Sequence, residues 1–568
     1  MHRCYPRPAV GIPVTLYLLA LAVRAVLVLH FPDPAYPDSF YYVDVARALH
    51  EGRGFNVDFI WIFAEVGGRL PANPVLPIPS NAHWMPLASL VQVPFLAAFG
   101  ESPLAAAAPF ALIGSLAAPM AWGIAREAGA SSLVAIGAGI LTAIPAASVP
   151  FMAQPDNFSL FQPLVVGALW MTARGLKGSA PSFVLAGLLA GLATLARNDG
   201  VLVAAVIALA FVWNRWRALR SPASEPVRSR IPVAAALASG ALFLVAVGPW
   251  LVRQLEVFGS LSPSAASGKV LFIRNIAEWN SITAPATLQY FLGQGLGPLV
   301  ESRVLGFVAA VVIFSVLVGG VILVPFMLVG AWQRRRSVDF GPFFAYAILL
   351  FAFSALVSAV HVPGGTFIHS AVALAPHAYI LALEGIVASV AWVAARRRTW
   401  NVKQASRIFA GAAISFALLS ALGASLVVHA GWKSERQERQ QVAVALDLAG
   451  AAPTDRIMSI DAAGYRYYTG RGGVVLVNDP LETVQQVARA YDVRWLVLER
   501  DDAVPSVAPI LDGSRPEWVG PPILTLRDAQ SPGASPAPSV ALYPVCAAGA
   551  SSRCATTAAV PAATAMTP

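Results

Sequence analysis

The sequence predicts an α-helical polytopic membrane protein of about eleven transmembrane helices plus juxtamembrane helices, followed by a small C-terminal α/β domain outside the membrane. Three observations predict it. Of 568 residues, 57% are hydrophobic and only 12% charged, a balance outside that of soluble domains. Apolar runs long enough to cross ~30 Å of hydrocarbon recur up to about residue 430 and then stop. Beyond that point short β-branched runs alternate with one helical segment, the pattern of a small α/β unit.

The first apolar stretch, 9–31, follows Arg3 and Arg7 and has no small-residue cleavage site, so it reads as a retained signal anchor. Arg24 lies within it, where a charge is costly unless it contacts the first outer loop or snorkels. Further crossings are expected at 103–125, 131–152, 157–174, 181–196, 200–218, 231–252, 306–332, 341–360, 370–395 and 407–430. Segment 83–100 is apolar and nearly long enough to be one more. Loop charge decides it. Without that crossing, Arg126, Arg174 with Lys177, Arg215 to Arg230, Arg334 to Arg336, and Arg396 to Arg398 with Lys403 all share the side of the N-terminus; with it, the positive-inside rule fails at nearly every loop. Residues 83–100 are therefore read as a juxtamembrane or re-entrant helix of the first outer loop, 32–102. The N-terminus is placed in the cytoplasm and the plasma (inner) membrane is the expected home.

The same topology sends the turns at Gln154 to Asn157 and Arg197 to Gly200, the loop 253–305 and the segment from His361 to His369 to the outer face. The chain then divides into a membrane domain, 1–430, an outer α/β domain, 431–530, and an Ala/Pro/Ser/Thr-rich tail, 531–568, expected to be disordered. In the outer domain, 456–461, 473–478 and 493–500 read as strands and 481–492 as a helix. The formal charge of +9 is almost wholly arginine in short loops between spans, so it reports topology and gives no nucleic-acid surface. Cys546 and Cys554 could pair in the tail or remain thiols.

Chemistry gathers on the outer face. Asp38, Tyr41, Tyr42, Val45 and Leu49 fall at helical spacing, and Gly52 with Gly54 ends that helix. Asp38 after Pro37 is an ordinary helix-start signal and also a carboxylate on a fixed scaffold beside a bilayer. Asp44 reads as a solvated acid. Asp156 at a span end is either a helix cap or a second functional acid. Arg197 either pairs with Asp199 or meets an anion. Lys269 and Arg274 lie on the outer loop with Trp279 and Tyr290.

Asp38, Tyr41-Tyr42, Ala46, Leu49, Gly52 and Gly54-Phe55 after a first span resemble the first outer loop of the GT-C superfamily of membrane glycosyltransferases. The family-39 branch, the relatives of protein mannosyltransferases and aminoarabinose transferase, is the nearest in pattern. His83-Trp84-Met85-Pro86-Leu87 is similar to that branch's His-Pro-Pro-Leu segment. Gly191 to Gly200 is similar to its Gly-Leu-Ala-x-Leu-x-Arg-x-x-Gly turn, and 461–499 is similar to an outer domain attached to many such proteins.

The resemblance implies inverting transfer of a sugar from a polyprenyl-phosphate-linked donor to a glycan, lipid or protein acceptor. It implies Asp38 as base and Asp156 as second acid; a divalent metal, if one takes part, could take oxygen ligands from Asp38 and Asp156. Arg197, Lys269, Arg274 and His369 are the candidates toward the donor phosphate, His369 at a position similar to one of the family and Lys269 with Arg274 reading equally as a solvated interfacial loop, while Tyr41, Tyr42 and His83 are read as shaping the acceptor loop. One position departs from the pattern, since Ser39 stands where many relatives carry an adjacent acid. That departure keeps open a catalytically inactive relative, and the number of spans alone supports a transporter of lipid-linked sugar or small solute.

Overall fold

The computed structural model describes residues 11–220, 230–262, 264–274, 276–357, 366–397, 399–527 and 538–546. They form two compact units: Met1–Asp33, Trp84–Pro263 and Glu301–His429 make the first, and Pro34–His83, Ser264–Val300 and Ala430–Pro568 the second.

The first unit is helical. Among the described residues of the chain, seven helices are long and apolar enough to cross a membrane: Gly11–His30, Pro103–Glu127, Asn198–Arg220, Val233–Phe258, Leu296–Val318, Phe367–Ala394 and Val402–Leu448. Shorter apolar helices occupy Leu87–Phe99, Ser132–Ser148, Ala180–Ala196 and Gly341–Leu356, so part of the expected crossings is built from sub-length helices. The chain is a multi-pass membrane protein. Serines start several helices: the side chains of Ser102, Ser131 and Ser179 accept the backbone N–H three residues on, at 3.2, 3.4 and 3.4 Å.

One expected crossing is different. Residues 306–332 do not form a single helix; Leu296–Ile313 runs into a π-helical turn at Phe314–Val318, and after a break Val324–Arg334 is a separate helix. Backbone with positive φ at Gly320 and Val321 marks the break. A Cβ on Gly330 would collide with the Leu381 carbonyl, and one on Gly385 with that of Phe326, so Val324–Arg334 and Ala375–Ala394 meet backbone to backbone with opposed directions. Arg334 anchors the contact through Glu384 and a 2.9 Å bond to the Ala128 carbonyl. Arg24 is also placed otherwise than snorkelling would require. It is fully buried beside Gly114 and Ser159, and its Nη1 donates to the Ala20 carbonyl at 3.3 Å.

The second unit is built on a six-stranded sheet. Its strands are β2 (Phe59–Ile60), β4 (Arg456–Ser459), β5 (Gly473–Val475), β6 (Val493–Glu499), β7 (Leu524–Leu526) and β8 (Val540–Pro544), in the order β2-β5-β4-β6-β8-β7. β2, β5, β4 and β6 run parallel, β8 runs antiparallel to β6, and β7 antiparallel to β8. Helices Ala462–Thr469 and Leu481–Ala490 supply the crossovers. The three strands and the helix expected from sequence are present. A separate ladder joins β1 (Asn56–Val57) to β3 (Ile78–Pro79).

Two strands come from places composition does not suggest. β2 belongs to the first outer loop and pairs Phe59 with Gly473 and Ile60 with Val474. β8 lies inside the stretch read as disordered tail, and all five of its residues are buried. The short strand carries its own apolar run, Val540 to Tyr543, which the flanking Pro and Ser hide in any wide composition window. Cys546 is disulfide-bonded, while Cys4 and Cys554 lie outside the described residues.

Candidate functional site

In the first unit, two turns meet one short helix. Helix Phe158–Leu176 starts after Asp156 and Asn157, and helix Ala180–Ala196 ends at Arg197 before the single turn Asn198–Gly200. Helix Thr366–Ala371 carries His369 and Ser370. His369 Nδ1 lies 3.4 Å from the Asp156 carboxylate and 3.2 Å from Asn157 Oδ1, and its ring stacks on Phe158 with 4.1 Å between centroids. Ser370 Oγ donates to Asp199, which also accepts from Arg197 Nε at 3.0 Å. Gln162 Nε2 bonds the Val372 carbonyl at 2.8 Å. Adjacent residues on one helix therefore hold both turns.

Asp156 is fully buried and His369 is 6% exposed, so carboxylate and imidazole meet where water screens little. That pairing suits two tasks. A carboxylate beside a neutral imidazole offers oxygen and nitrogen ligands to a divalent cation; beside a protonated one it is a charge-assisted pair. Arg197 carries an ion pair with Asp199, with side-chain exposures of 11% and 7%, and lies 5.9 Å over the Phe161 ring. His361 lies outside the described residues.

The second unit holds the other candidates. Helix Pro37–His50 begins on proline, carries Asp38 in its first turn, and ends before Gly52 and Gly54, whose φ angles of +77° and +73° favour glycine. Asp38 is half-buried. Ser39 is fully buried: its hydroxyl accepts the N–H groups of Ala35 at 2.9 Å and Tyr36 at 3.1 Å and donates to the Tyr36 carbonyl at 2.8 Å. Where relatives carry an acid, this chain has the side chain that fixes the entry into the helix.

Tyr41 and Tyr42 are in the core. The Tyr41 hydroxyl accepts the Asn81 N–H at 2.6 Å, its ring stands edge-on to Phe59, and burial pushes its hydroxyl pKa well above the ordinary value. His83 packs edge-on against Trp279 at 4.9 Å, and its carbonyl accepts from Ser264 Oγ at 2.7 Å. Trp61 Nε1 donates to Asn280 at 2.6 Å. Arg274 is engaged by Glu278 through its backbone N–H and its guanidinium, at 2.8 and 2.7 Å. The Lys269 side chain lies outside the described residues.

Asp44, expected in water, is only 8% exposed. Burial pushes its carboxyl up to about 6, against the opposing pull of Arg466. Sequence reasoning missed Ser370 and Arg466 altogether. Neither belongs to a spaced pattern, and each gains its meaning only from a partner far along the chain.

Residues 82–252 match the family model described as dolichyl-phosphate-mannose-protein mannosyltransferase. In fold the chain is similar to ArnT from Cupriavidus metallidurans, with a TM-score of 0.54 to the apo state and 0.53 to the form bound to undecaprenyl phosphate. Identity is 15% in each case, over 94% of this chain and 98% of ArnT. The archaeal oligosaccharyltransferase AglB from Archaeoglobus fulgidus, in complex with an inhibitory peptide and a dolichol-phosphate, matches with a TM-score of 0.49 and 13% identity, over 86% of this chain and 69% of AglB. No curated protein matches by sequence.

Proposed function

We propose that this chain is an inverting glycosyltransferase of the plasma (inner) membrane. It moves a sugar from a polyprenyl-phosphate-linked donor to an acceptor hydroxyl on the outer face, with its N-terminus in the cytoplasm and its α/β domain outside. The observation that carries most weight is the GT-C fold along 94% of the chain, joined to the family match over 82–252. ArnT from Cupriavidus metallidurans is solved bound to undecaprenyl phosphate, and the same donor class is proposed here.

In the proposed step the Asp38 carboxylate takes the acceptor proton as the acceptor oxygen attacks the anomeric carbon. The bond from that carbon to the donor phosphate oxygen breaks, and polyprenyl phosphate departs with the electron pair. Arg197 and His369 are the described cationic candidates for the departing phosphate, and Arg274 becomes available only if Glu278 releases it. If a divalent cation takes part, Asp156 and His369 are the donors that the first unit brings together, and Asp38 is the further oxygen ligand proposed. When bound, such an ion would neutralise charge on the donor phosphate.

Reconstituted chain supplied with a labelled polyprenyl-phosphate sugar should release polyprenyl phosphate. Asp38→Asn should lower that release by about 10²–10⁴-fold with membrane insertion intact. Full activity of the Asn variant would remove Asp38 from the role, and solute flux without transfer would favour the transporter.

A further inference from the structure

The outer α/β domain grips the helix that carries Asp38, and it does so on one stripe. On a helix turning 100° per residue, Phe40, Asp44 and Arg47 fall within about 60° of one another, and Asp38 lies about 150° away from their middle. Each stripe residue meets helix Ala462–Thr469. Phe40 packs its ring on Tyr467 at 5.4 Å and on Tyr468 at 5.9 Å. The Arg47 guanidinium sits 4.6 Å over the Tyr467 ring. Arg466 Nε reaches Asp44 at 3.8 Å, and its Nη2 bonds Asp58 at 2.8 Å, so one guanidinium ties the helix to the loop that follows it. Asp58 in turn gives its carbonyl to the Gly473 N–H at 3.1 Å, where β2 joins the sheet.

We propose that the outer domain is the positioning platform of the Asp38 helix, with Arg466, Tyr467 and Tyr468 as positioning residues that fix its azimuth and leave Asp38 on the opposite side. The inference deepens the glycosyltransferase proposal. It gives the outer domain a part in the transfer step, where the sequence leaves it as an appended module. An appended binding module would need no tie to the first outer loop, yet this one makes a strand pair, tilted and edge-on ring contacts, a cation–π contact and a shared ion bridge with it.

The test uses the full chain in nanodiscs with two readouts, amide exchange across residues 37–50 and transfer from a labelled polyprenyl-phosphate sugar. Arg466→Gln should speed exchange in 40–50 by at least about tenfold while Val493–Glu499 stays protected, and lower kcat about tenfold with donor KM little changed. Arg466→Lys should recover part of both, because one ammonium cannot span Asp44 and Asp58 as the guanidinium fork does. If Arg466→Gln unfolds the sheet itself, Tyr468→Leu, which takes one ring off Phe40, decides by the same readouts. Unchanged exchange in 40–50, or lost protection with unchanged kcat, overturns the platform. Absence of transfer in the unaltered chain overturns the glycosyltransferase proposal instead, and the exchange arm still decides whether the domain holds the helix.

Discussion

Ser39→Ala is the sharpest perturbation of the Asp38 helix. The serine hydroxyl serves three backbone groups within 3.1 Å, two of them N–H donors on Ala35 and Tyr36. Ala35 is 3% exposed, so its N–H would be left buried and unpaired, a loss of roughly 1–3 kcal/mol, and the half-buried Tyr36 N–H would lose less. Together the two give about 2–4 kcal/mol, concentrated at the entry to the helix. Unfolding of the second unit, followed by denaturant and by exchange of amides 37–50, should show that loss. Ser39→Asp separates the structural role from a catalytic one: its carboxylate can accept both N–H groups but cannot donate to the Tyr36 carbonyl, so it should destabilise the helix start and add no transfer. A change under about 0.5 kcal/mol in Ser39→Ala, or a gain of transfer in Ser39→Asp, would refute this account of the missing acid.

Other outcomes follow from single contacts. Asp44 has its carboxyl raised from 3.8 to about 6, so folding disfavours its charged form; its own contribution to the stability of the second unit should be fully present below about pH 4 and be lost between about 4 and 6. Asp44→Asn should flatten that fall, which amounts to roughly 3 kcal/mol at most from a two-unit shift, and pH-dependent unfolding of both proteins checks it. Asp479 accepts from Ser281 Oγ at 2.6 Å, from the N–H groups of Ile282 and Thr283 at 2.8 and 3.1 Å, and from the Thr283 hydroxyl; Asp479→Ala should cost about 2–4 kcal/mol and open the 276–300 loop to limited proteolysis. Gly385→Val should prevent the contact with Val324–Arg334 and lower the yield of folded protein, read by thermal melting in detergent. His369→Gln should lower transfer about tenfold or more, because it removes the imidazole that meets Asp156 and Asn157, read by release of polyprenyl phosphate.

The legible parts of this chain are those in which sequence neighbours make the structure. The helix at Pro37, its glycine stop and the strands at 456, 473 and 493 each carry a local period or a cap, and each is where its pattern puts it. The break after Val318 is hidden because 306–332 is evenly apolar, and the close approaches of Gly330 to Leu381 and of Gly385 to Phe326 join positions more than fifty residues apart. A two-residue strand such as β2 has no period at all. Its existence depends on a free edge at β5, more than four hundred residues away.

The candidate site divides along the same line. Asp156, Arg197 and His369 could be singled out by residue type and predicted side of the membrane, since a polar group at a span end is rare in so apolar a chain. Their arrangement could not, because it depends on the consecutive His369 and Ser370 facing different turns, His369 toward Asp156 and Ser370 toward Asp199. Asp44 shows the converse. Its spacing from Asp38 reads as a spare acid on a wet face, whereas the outer domain covers that face and turns the same carboxylate into a buried partner of Arg466. An acid's role in this chain is therefore set by which distant element covers its helix face, and Asp38 stays a candidate base because the stripe that the outer domain covers is the one opposite to it.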